Sequence, residues 1–383
     1  MRAEALVVGG GPAGSTVARL LAKDHDVIIA EEHASPGEPM HCAGLVTRRG
    51  VPKFAEGSIL NSVKGVRFHS ALGYVLQLEA KASRACVVDR RQFDSILFHK
   101  AVDAGVAPMV GAQARALREG RSEVRTDIRF EGGLREISSS LVIGADGYRS
   151  ICRRSARLPP PKHMLSGIQV DLKGADVEPD FVEVYFGHAV APGFFAWAIP
   201  AGDRTRVGLC TWDSDQPPAV YLKRLLTRKE FSRSKKVSMA AGRIPIGPGK
   251  SAASGRIMLV GDAACHAKPL SGGGVYTAVK GGEICAQAAS DFMGNRADAK
   301  SYDRLWKEEF GRELSRAFRV RKVFLNLTDK KLDKALRIFG EPKVKKLLEE
   351  HGDIDYPASL SSAVLKLAPR LAQFSPQIIE SLL

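Results

Sequence analysis

The sequence predicts an α/β fold of the α+β two-domain kind: a Rossmann-like nucleotide-binding domain, an antiparallel β-sheet substrate domain and a helical C-terminal tail. Three observations carry this. "ALVVGGGPAG" (Ala5 to Gly14) is a short apolar run entering a glycine-rich turn and then a helix. Between Arg157 and Pro217 the chain is rich in proline and aromatics in alternating pieces ("FVEVYFG", "GFFAWAIP", "TRVGLCTW"), the two-residue period of strands. From Glu283 onward the period becomes helical, with Trp306, Phe310, Leu314, Phe318 and Leu325 tracing one face.

Taken in order, "ALVV" reads as a strand buried on both faces. "GGGPAGSTVARLLAKDH" is a turn and helix with Val17, Leu20 and Leu21 at helical spacing, and "DVIIAEE" is the next strand, completing a βαβ unit. Short alternating pieces follow from "VPKFAEG" to "RACVVDR", and then "RQFDSILFHKAVDAG" forms an amphipathic helix ending at Gly105. "LVIGADG" and "GRIMLVGDAA" are two further buried strands entering turns. The expected organisation is a discontinuous nucleotide domain (residues 1–155 and 245–295, with 45–85 partly joining the substrate side), a β-rich substrate domain (156–244) and a helical region (296–383).

Composition narrows the function classes. A hydrophobic fraction of 44% and a charged fraction of 26% are ordinary for a globular protein, but the net charge of +15 favours anionic partners. Nucleic acid has only that charge behind it, since no binding motif is present. The six cysteines, Cys42, Cys86, Cys152, Cys210, Cys265 and Cys285, are scattered with no C-x-x-C pair, which predicts neither a zinc site nor a disulfide scaffold and points to a reducing compartment. No run approaches the ~20 apolar residues of a membrane span. The expected location is the cytoplasm, or the periphery of a membrane.

In "VVGGGPAG", Gly9, Gly11 and Gly14 fill the G-x-G-x-x-G positions. The first allows the tight turn, the second lets backbone approach a pyrophosphate, and the third lets helix and strand pack closely. Glu31 ends the second strand 17 residues after Gly14, where a carboxylate can accept hydrogen bonds from a ribose diol. NAD and FAD both use this fingerprint, so the later motifs decide between them. Asp262 in "LVGDAA" fits either a carboxylate meeting ribityl or pyrophosphate-proximal hydroxyls or a helix cap. The Gly272–Val275 turn offers backbone N–H groups at a helix start, suited to the carbonyl edge of a flavin.

The order "GGGPAG", "VVDRRQFD", "GADG", "GDAA…P…GGG" resembles the para-hydroxybenzoate hydroxylase-like FAD superfamily, over residues 5 to about 285. Within it the chain is similar to the geranylgeranyl reductases, especially the archaeal digeranylgeranylglycerophospholipid reductases. "HCAGL" (His41 to Leu45) resembles their cysteine segment beside the flavin, and "GFFAWAIPAGDRTRVGLC" resembles a substrate-lining signature written Y-x-W-x-F-P followed by G-x-G. "KPLSGGGVYTAVKGG" resembles their P-x-T-G-G-G-I segment. Phe195 stands for the signature tyrosine, Ile199 for its phenylalanine and Cys210 for its last glycine, while Trp197, Pro200 and Gly208 are kept; Ser271 and Val275 replace threonine and isoleucine.

The resemblance implies FAD as cofactor, held by Gly9, Gly11, Ala13, Gly14, Glu31, Cys42, Ala43, Gly44, Arg90, Ala114, Asp262, Gly273, Gly274 and Val275. Without it, the favoured readings are a surface charge at a helix start for Arg90 and a small buried residue for Cys42. With it, Cys42 becomes the catalytic candidate, a proton source or a modulator of the flavin. Tyr185, Phe195, Trp197, Pro200 and Gly208 are the substrate candidates. Tyr185, Phe186, Phe194, Phe195 and Trp197 suit either the wall of a tunnel for a polyprenyl chain or an ordinary domain core.

The expected activity is FAD-dependent saturation of geranylgeranyl C=C bonds in an archaeal-type membrane glycerophospholipid. The alternatives are an NAD(P)H-dependent aromatic hydroxylase and a flavin-bearing electron-relay protein. With one nucleotide fingerprint assigned to FAD, the reductant is open between transiently bound NAD(P)H and a ferredoxin. The tail cations Arg312, Arg316, Arg319, Arg321, Lys322, Lys330, Lys331 and Lys334 fit contact with an anionic membrane or a lipid phosphate, or a solvated helix face. From Ala358 to Leu383 the chain is nearly uncharged and is expected to pack on the body, a partner or a membrane.

Overall fold

The computed structural model describes residues 1–247 and 249–374. The last part of the apolar end, residues 375–383, lies outside the described residues.

The first apolar runs become the centre of a parallel sheet. Strand Arg2–Val8 lies between Val27–Glu31 and Gly133–Gly144, and Ala107–Val110 and Ile257–Leu259 extend the sheet on either side, all in parallel. Ala5, Leu6, Val7, Ile29, Leu141, Val142 and Ile143 are fully buried, because both faces of this sheet are covered. One cover is the helix Pro12–Leu21 with Val275–Met293 packed on it. Small residues permit that approach: a Cβ on Gly282 would lie 2.9 Å from Cβ of Thr16 and 3.0 Å from the Ala13 carbonyl oxygen. An antiparallel pair, Gln113–Glu119 and Val124–Phe130, continues from Gly133–Gly144.

The alternating stretch forms a second sheet of seven strands. Its order is Lys235–Ile246, His163–Lys173, Arg204–Thr211, Ala196–Ala201, Phe181–Tyr185, Gly65–His69 and Val75–Glu79. All neighbours are antiparallel except Phe181–Tyr185 with Gly65–His69, which run parallel and bring an early segment into this sheet. A small sheet of Leu45–Thr47, Ala85–Val88 and Ile59–Val63 bridges the two.

The C-terminal part is helical. Trp306, Phe310 and Leu314 pack with Tyr276 and Tyr356, and a π-helical turn at Lys307–Gly311 joins Lys300–Trp306 to Arg312–Leu325. Val364, Ala368 and Leu371 pack on Ala335, Ile338 and Val344, so the described part of the apolar end docks one face on the chain itself, while Leu367 stays exposed. Of the tail cations, Arg319, Lys322, Lys330, Lys331 and Lys334 face solvent, whereas Arg321 is 3% exposed.

Candidate active site

A cavity of about 1610 Å³ runs between the two sheets, from the glycine-rich turn after Arg2–Val8 to the C-terminal helices. Its first end is the nucleotide fingerprint. A Cβ on Gly9 would collide with the Ala145 carbonyl, and one on Gly14 with the carbonyl of Gly9. These two glycines therefore close the turn against the protein. Gly11 differs, because a Cβ there would meet nothing within 4 Å. The space above it belongs to the cavity, as expected where backbone must approach a pyrophosphate.

Glu31 is buried beside this turn. Its Oε2 accepts from the Gly10 N–H at 2.7 Å and its Oε1 from the His33 N–H at 2.9 Å, which fixes the carboxylate at the cavity wall. In the "GADG" segment, Asp146 Oδ2 accepts from the N–H groups of Ile151 (2.7 Å) and Cys152 (3.1 Å), while Oδ1 is buried with no partner. Asp146 lines the cavity as a residue, but this oxygen is enclosed by protein on the side of Cys152.

Asp262 follows the strand Ile257–Leu259 and borders Gly274, the residue before helix Val275–Met293. It caps no helix in this fold: the short turn Gly261–Ala264 has no side-chain cap. Burial pushes its carboxyl up to about 6, opposed by the Arg90 charge. Arg90 makes a bidentate pair with Asp94, Nε to Oδ1 at 2.8 Å and Nη2 to Oδ2 at 2.7 Å. Burial works against its charge, but the Asp94 carboxylate and the Cys42 thiol beside it hold the guanidinium above its ordinary value.

Cys42 sits half-buried on the cavity wall, its Sγ accepting from the Gly44 N–H at 3.3 Å. Its loop is pinned from the second sheet. Arg206 Nη1 donates to the carbonyls of Ala43 (2.8 Å) and Val88 (2.9 Å), and Gln169 Nε2 donates to the Cys42 carbonyl at 3.2 Å. Gly44 has φ +75°, and any Cβ there would strike the Arg206 guanidinium and the Val88 carbonyl. Arg206 is buried, and burial pulls its charge down against the support of Asp171. No motif marked Arg206, since its role depends on a loop 163 residues away in sequence.

The turn before helix Val275–Met293 is held from the C-terminal side. Lys268, 5% exposed, donates to Asp355 Oδ1 at 2.6 Å and to the Ile354 carbonyl at 3.1 Å. Thr47 Oγ1 donates to Asp355 Oδ2 at 2.5 Å, and Arg49 reaches Asp353 and Asp355. Lys268 and Asp355 also escaped the sequence reading, because nothing local links them.

The cavity thus brings together Gly9, Gly11, Ala13, Glu31, Cys42, Ala43, Gly44, Arg90, Ala114, Asp262, Gly273, Gly274 and Val275. Gly14 stands behind Gly9 and does not reach it. Beyond Cys42 the cavity becomes apolar, walled by Phe186, Phe194, Phe195, Trp197, Ile199 and Phe324. Phe194 and Phe195 stack at 4.1 Å, and Phe186 meets Phe324 of helix Arg312–Leu325 at 5.3 Å.

Three substrate candidates are not on this wall. Strand alternation points Val182 and Val184 into the cavity, so Tyr185 lies on the opposite face, packed with Leu222 and Phe231 and donating to Glu230 at 3.2 Å. Pro200 alternates out in the same way beside Ile199. Gly208 acts from beneath: a Cβ there would lie 2.8 Å from Trp197 Cε2 and 2.6 Å from Gln169 Cβ, so its bareness lets the indole lie flat on the sheet.

Residues 2–236 match the FAD binding domain family. Over 370 residues the chain is 31% identical to an uncharacterized protein of Methanocaldococcus jannaschii, covering 95% of each. It is 30% identical to digeranylgeranylglycerophospholipid reductase 2 of Methanothermobacter thermautotrophicus, over 88% of this chain and 91% of that one. This chain belongs to the geranylgeranyl reductase family of FAD-binding proteins. Membership makes it an FAD-dependent reductase. The fold agrees: a geranylgeranyl bacteriochlorophyll reductase-like protein of Thermoplasma acidophilum superposes with a TM-score of 0.87 at 24% identity, over 100% of this chain and 98% of that one. The open space above Gly11, where a Cβ would meet nothing within 4 Å on the cavity side, fits that cofactor on physical grounds.

Proposed function

We propose that this reductase saturates the C=C bonds of geranylgeranyl chains in an archaeal-type membrane glycerophospholipid. The observation that carries the reading is the aromatic arm of the cavity, which opens directly off the Cys42 loop. The cavity volume of about 1610 Å³ exceeds the roughly 300–1,000 Å³ of a single-ligand pocket, leaving room for a second molecule beside a dinucleotide. An arm walled by Phe186, Phe194, Phe195, Trp197 and Phe324 suits a hydrocarbon chain, each buried CH₂ contributing about 0.8 kcal/mol.

FAD, when bound, supplies the hydride that goes to one carbon of the double bond. The chain's own residues do the rest. Gly9, Gly11 and Glu31 would hold the nucleotide end, Asp262 the ribityl and pyrophosphate-proximal part, and the Gly272–Val275 turn the ring. Cys42, held by the Gly44 N–H and beside Arg90, is the candidate donor of the proton to the second carbon. The aromatic wall excludes water from the reacting bond.

The test is anaerobic. The flavin-loaded protein is reduced with dithionite and given an unsaturated archaeal-type phospholipid, and products are weighed by mass spectrometry. The expected outcome is a gain of two hydrogens per double bond, slowed in Cys42→Ala by about 10²-fold or more, the usual scale of losing a positioned proton donor. Substituting NADPH or reduced ferredoxin for dithionite identifies the physiological donor. A reduced flavin that reoxidises only with oxygen and an aromatic acid would replace this reading with a hydroxylase.

A further inference from the structure

One cation in the aromatic arm has no counter-charge. Arg321 projects from helix Arg312–Leu325, lines the cavity and is 3% exposed. Among the described residues one of its five N–H donors is used: Nη2 donates to the Gly193 carbonyl at 2.8 Å. Its guanidinium lies over the Phe194 ring, 5.1 Å from the centroid. Among the described residues no carboxylate lies within ion-pair distance of it. Its titratable neighbours do not compensate. Burial pushes the Cys210 thiol up to about 12, so it stays neutral, and burial together with the Arg321 charge pushes His163 down, toward the neutral imidazole, so neither neighbour supplies a negative charge. Burial pulls Arg321 itself down to about 10, which still leaves it charged at neutral pH.

Three other cations of the site are matched: Arg90 by Asp94, Lys268 by Asp355, and Arg206 by Asp171 at 3.7 Å; buried Arg153 has only the Ala263 and Pro159 carbonyls, but it does not line the cavity. Arg321 alone among these faces an apolar wall. A buried charge is normally paired, and an unpaired one is costly unless a ligand completes it. Its place also matters. Phe324, one turn along the same helix, contacts Phe186, and Phe194 lies within 3.3 Å of where a Cβ on Gly272 would stand. An anion at Arg321 would lie against the aromatic wall, with Phe194 between it and the glycine turn.

We propose that Arg321 is the anion-binding residue of the substrate arm, and that its ligand is a phosphate group carried on an apolar chain. The planar fork of guanidinium pairs such an oxyanion bidentately, while Phe194, Phe195 and Phe324 hold the chain. The chain's prenyl character rests on the reductase reading above; the anion does not.

Binding tests this separately from catalysis. Holoprotein is titrated with geranylgeranyl phosphate, with geranylgeraniol and with inorganic phosphate, read by perturbation of the flavin absorbance and by native mass spectrometry. The phosphate ester is expected to bind about tenfold or more tightly than the alcohol, the scale of one charge-assisted pair. In Arg321→Met that preference falls to about twofold or less with alcohol binding unchanged, and Arg321→Lys, which keeps charge but loses the fork, retains part of it. Melting temperatures of both variants report folding, and the ester-to-alcohol ratio of the natural protein and of Arg321→Lys decides if Arg321→Met does not fold. Equal binding of ester and alcohol overturns the proposal. So does a preference that survives in Arg321→Met, or inorganic phosphate binding as tightly as the ester. If the Arg321-dependent preference holds but no double bond is reduced, the reductase reading fails and the anion site stands. If reduction proceeds without any such preference, only the anion site falls.

Discussion

Asp262 is pulled in two directions by its surroundings: burial disfavours its charge and Arg90 favours it, with burial winning. Its carboxyl titrates near 6 in the fold against 3.8 for the ordinary group. Between these values the folded chain binds more protons than the unfolded one, so this residue's contribution to stability falls as pH rises from about 4 to about 6. The penalty is complete above about 6. Asp262→Asn removes it, so the apoprotein variant should melt higher than the natural chain at pH 7.5, with the gap shrinking at pH 5 and closing near pH 4. The same variant should bind FAD more weakly, since an amide presents one acceptor oxygen where the carboxylate presents two. Thermal melts across this pH range, paired with flavin titration, check both halves. Arg321 and Tyr185 show what single residues conceal. Arg321 stands in a run of cations of which most face water, and Tyr185 stands in a strand covered on both sides. Neither neighbourhood in sequence says which way the side chain points.

Among the elements, the contact that sets the site is between the turn before helix Val275–Met293 and the segment Asp353–Tyr356. It consists of the buried Lys268–Asp355 pair, with Thr47 and Arg49 completing the Asp355 carboxylate. Both partners are almost fully enclosed, so breaking the pair from one side leaves an uncompensated charge. Lys268→Met is expected to destabilise the fold by about 3–5 kcal/mol, whereas Lys268→Met with Asp355→Leu should recover much of that loss. Chemical denaturation of the two variants measures it. No recovery in the double variant would show that the pair acts through something other than its charges. Further bonds draw the same region over the cavity: Arg84 donates to the Gly352 and Glu350 carbonyls, and Ser70 and Arg337 both bond Asp333. The helical tail is thus one wall of the site, with Leu348, Ile354 and Leu360 lining it, and not an appendage of the two sheets.

At the scale of the molecule, a net charge of +15 surrounds an apolar cavity with an aromatic arm. Among the described residues no helix is long and apolar enough to cross a membrane. If the proposed lipid substrate is met at a bilayer surface, exposed cations such as Lys322, Lys330, Lys331 and Lys334 are the groups that would supply the attraction. The protein should sediment with vesicles containing anionic lipid and not with neutral ones. Raising salt from 0.05 to about 0.5 M should release it, as the Debye length shrinks to a few ångströms. Retention that ignores salt would point to apolar insertion instead, for which the exposed Ile354 at the cavity wall is the nearest candidate.

Legible in the sequence were the nucleotide turn, four of the buried strands around it and the family resemblance, but not the order of those strands in the sheet. Those features rest on local physics: the bare backbone at Gly9, Gly11 and Gly14, and the unbroken apolar runs of strands covered on both faces. The aromatic wall was legible as a set of residues but not as a surface. Alternation assigns Phe195 and Trp197 to one face and Tyr185 to another strand's other face, and both faces are apolar because both are packed. Only the tertiary structure decided which face opens on the cavity. It also brought Arg206 under the Cys42 loop, Asp355 to Lys268 and Arg321 to Phe194 across separations of 163, 87 and 127 residues. Such pairings leave no periodic trace along the chain, since they are set by how sheets and helices pack and not by what stands next in sequence.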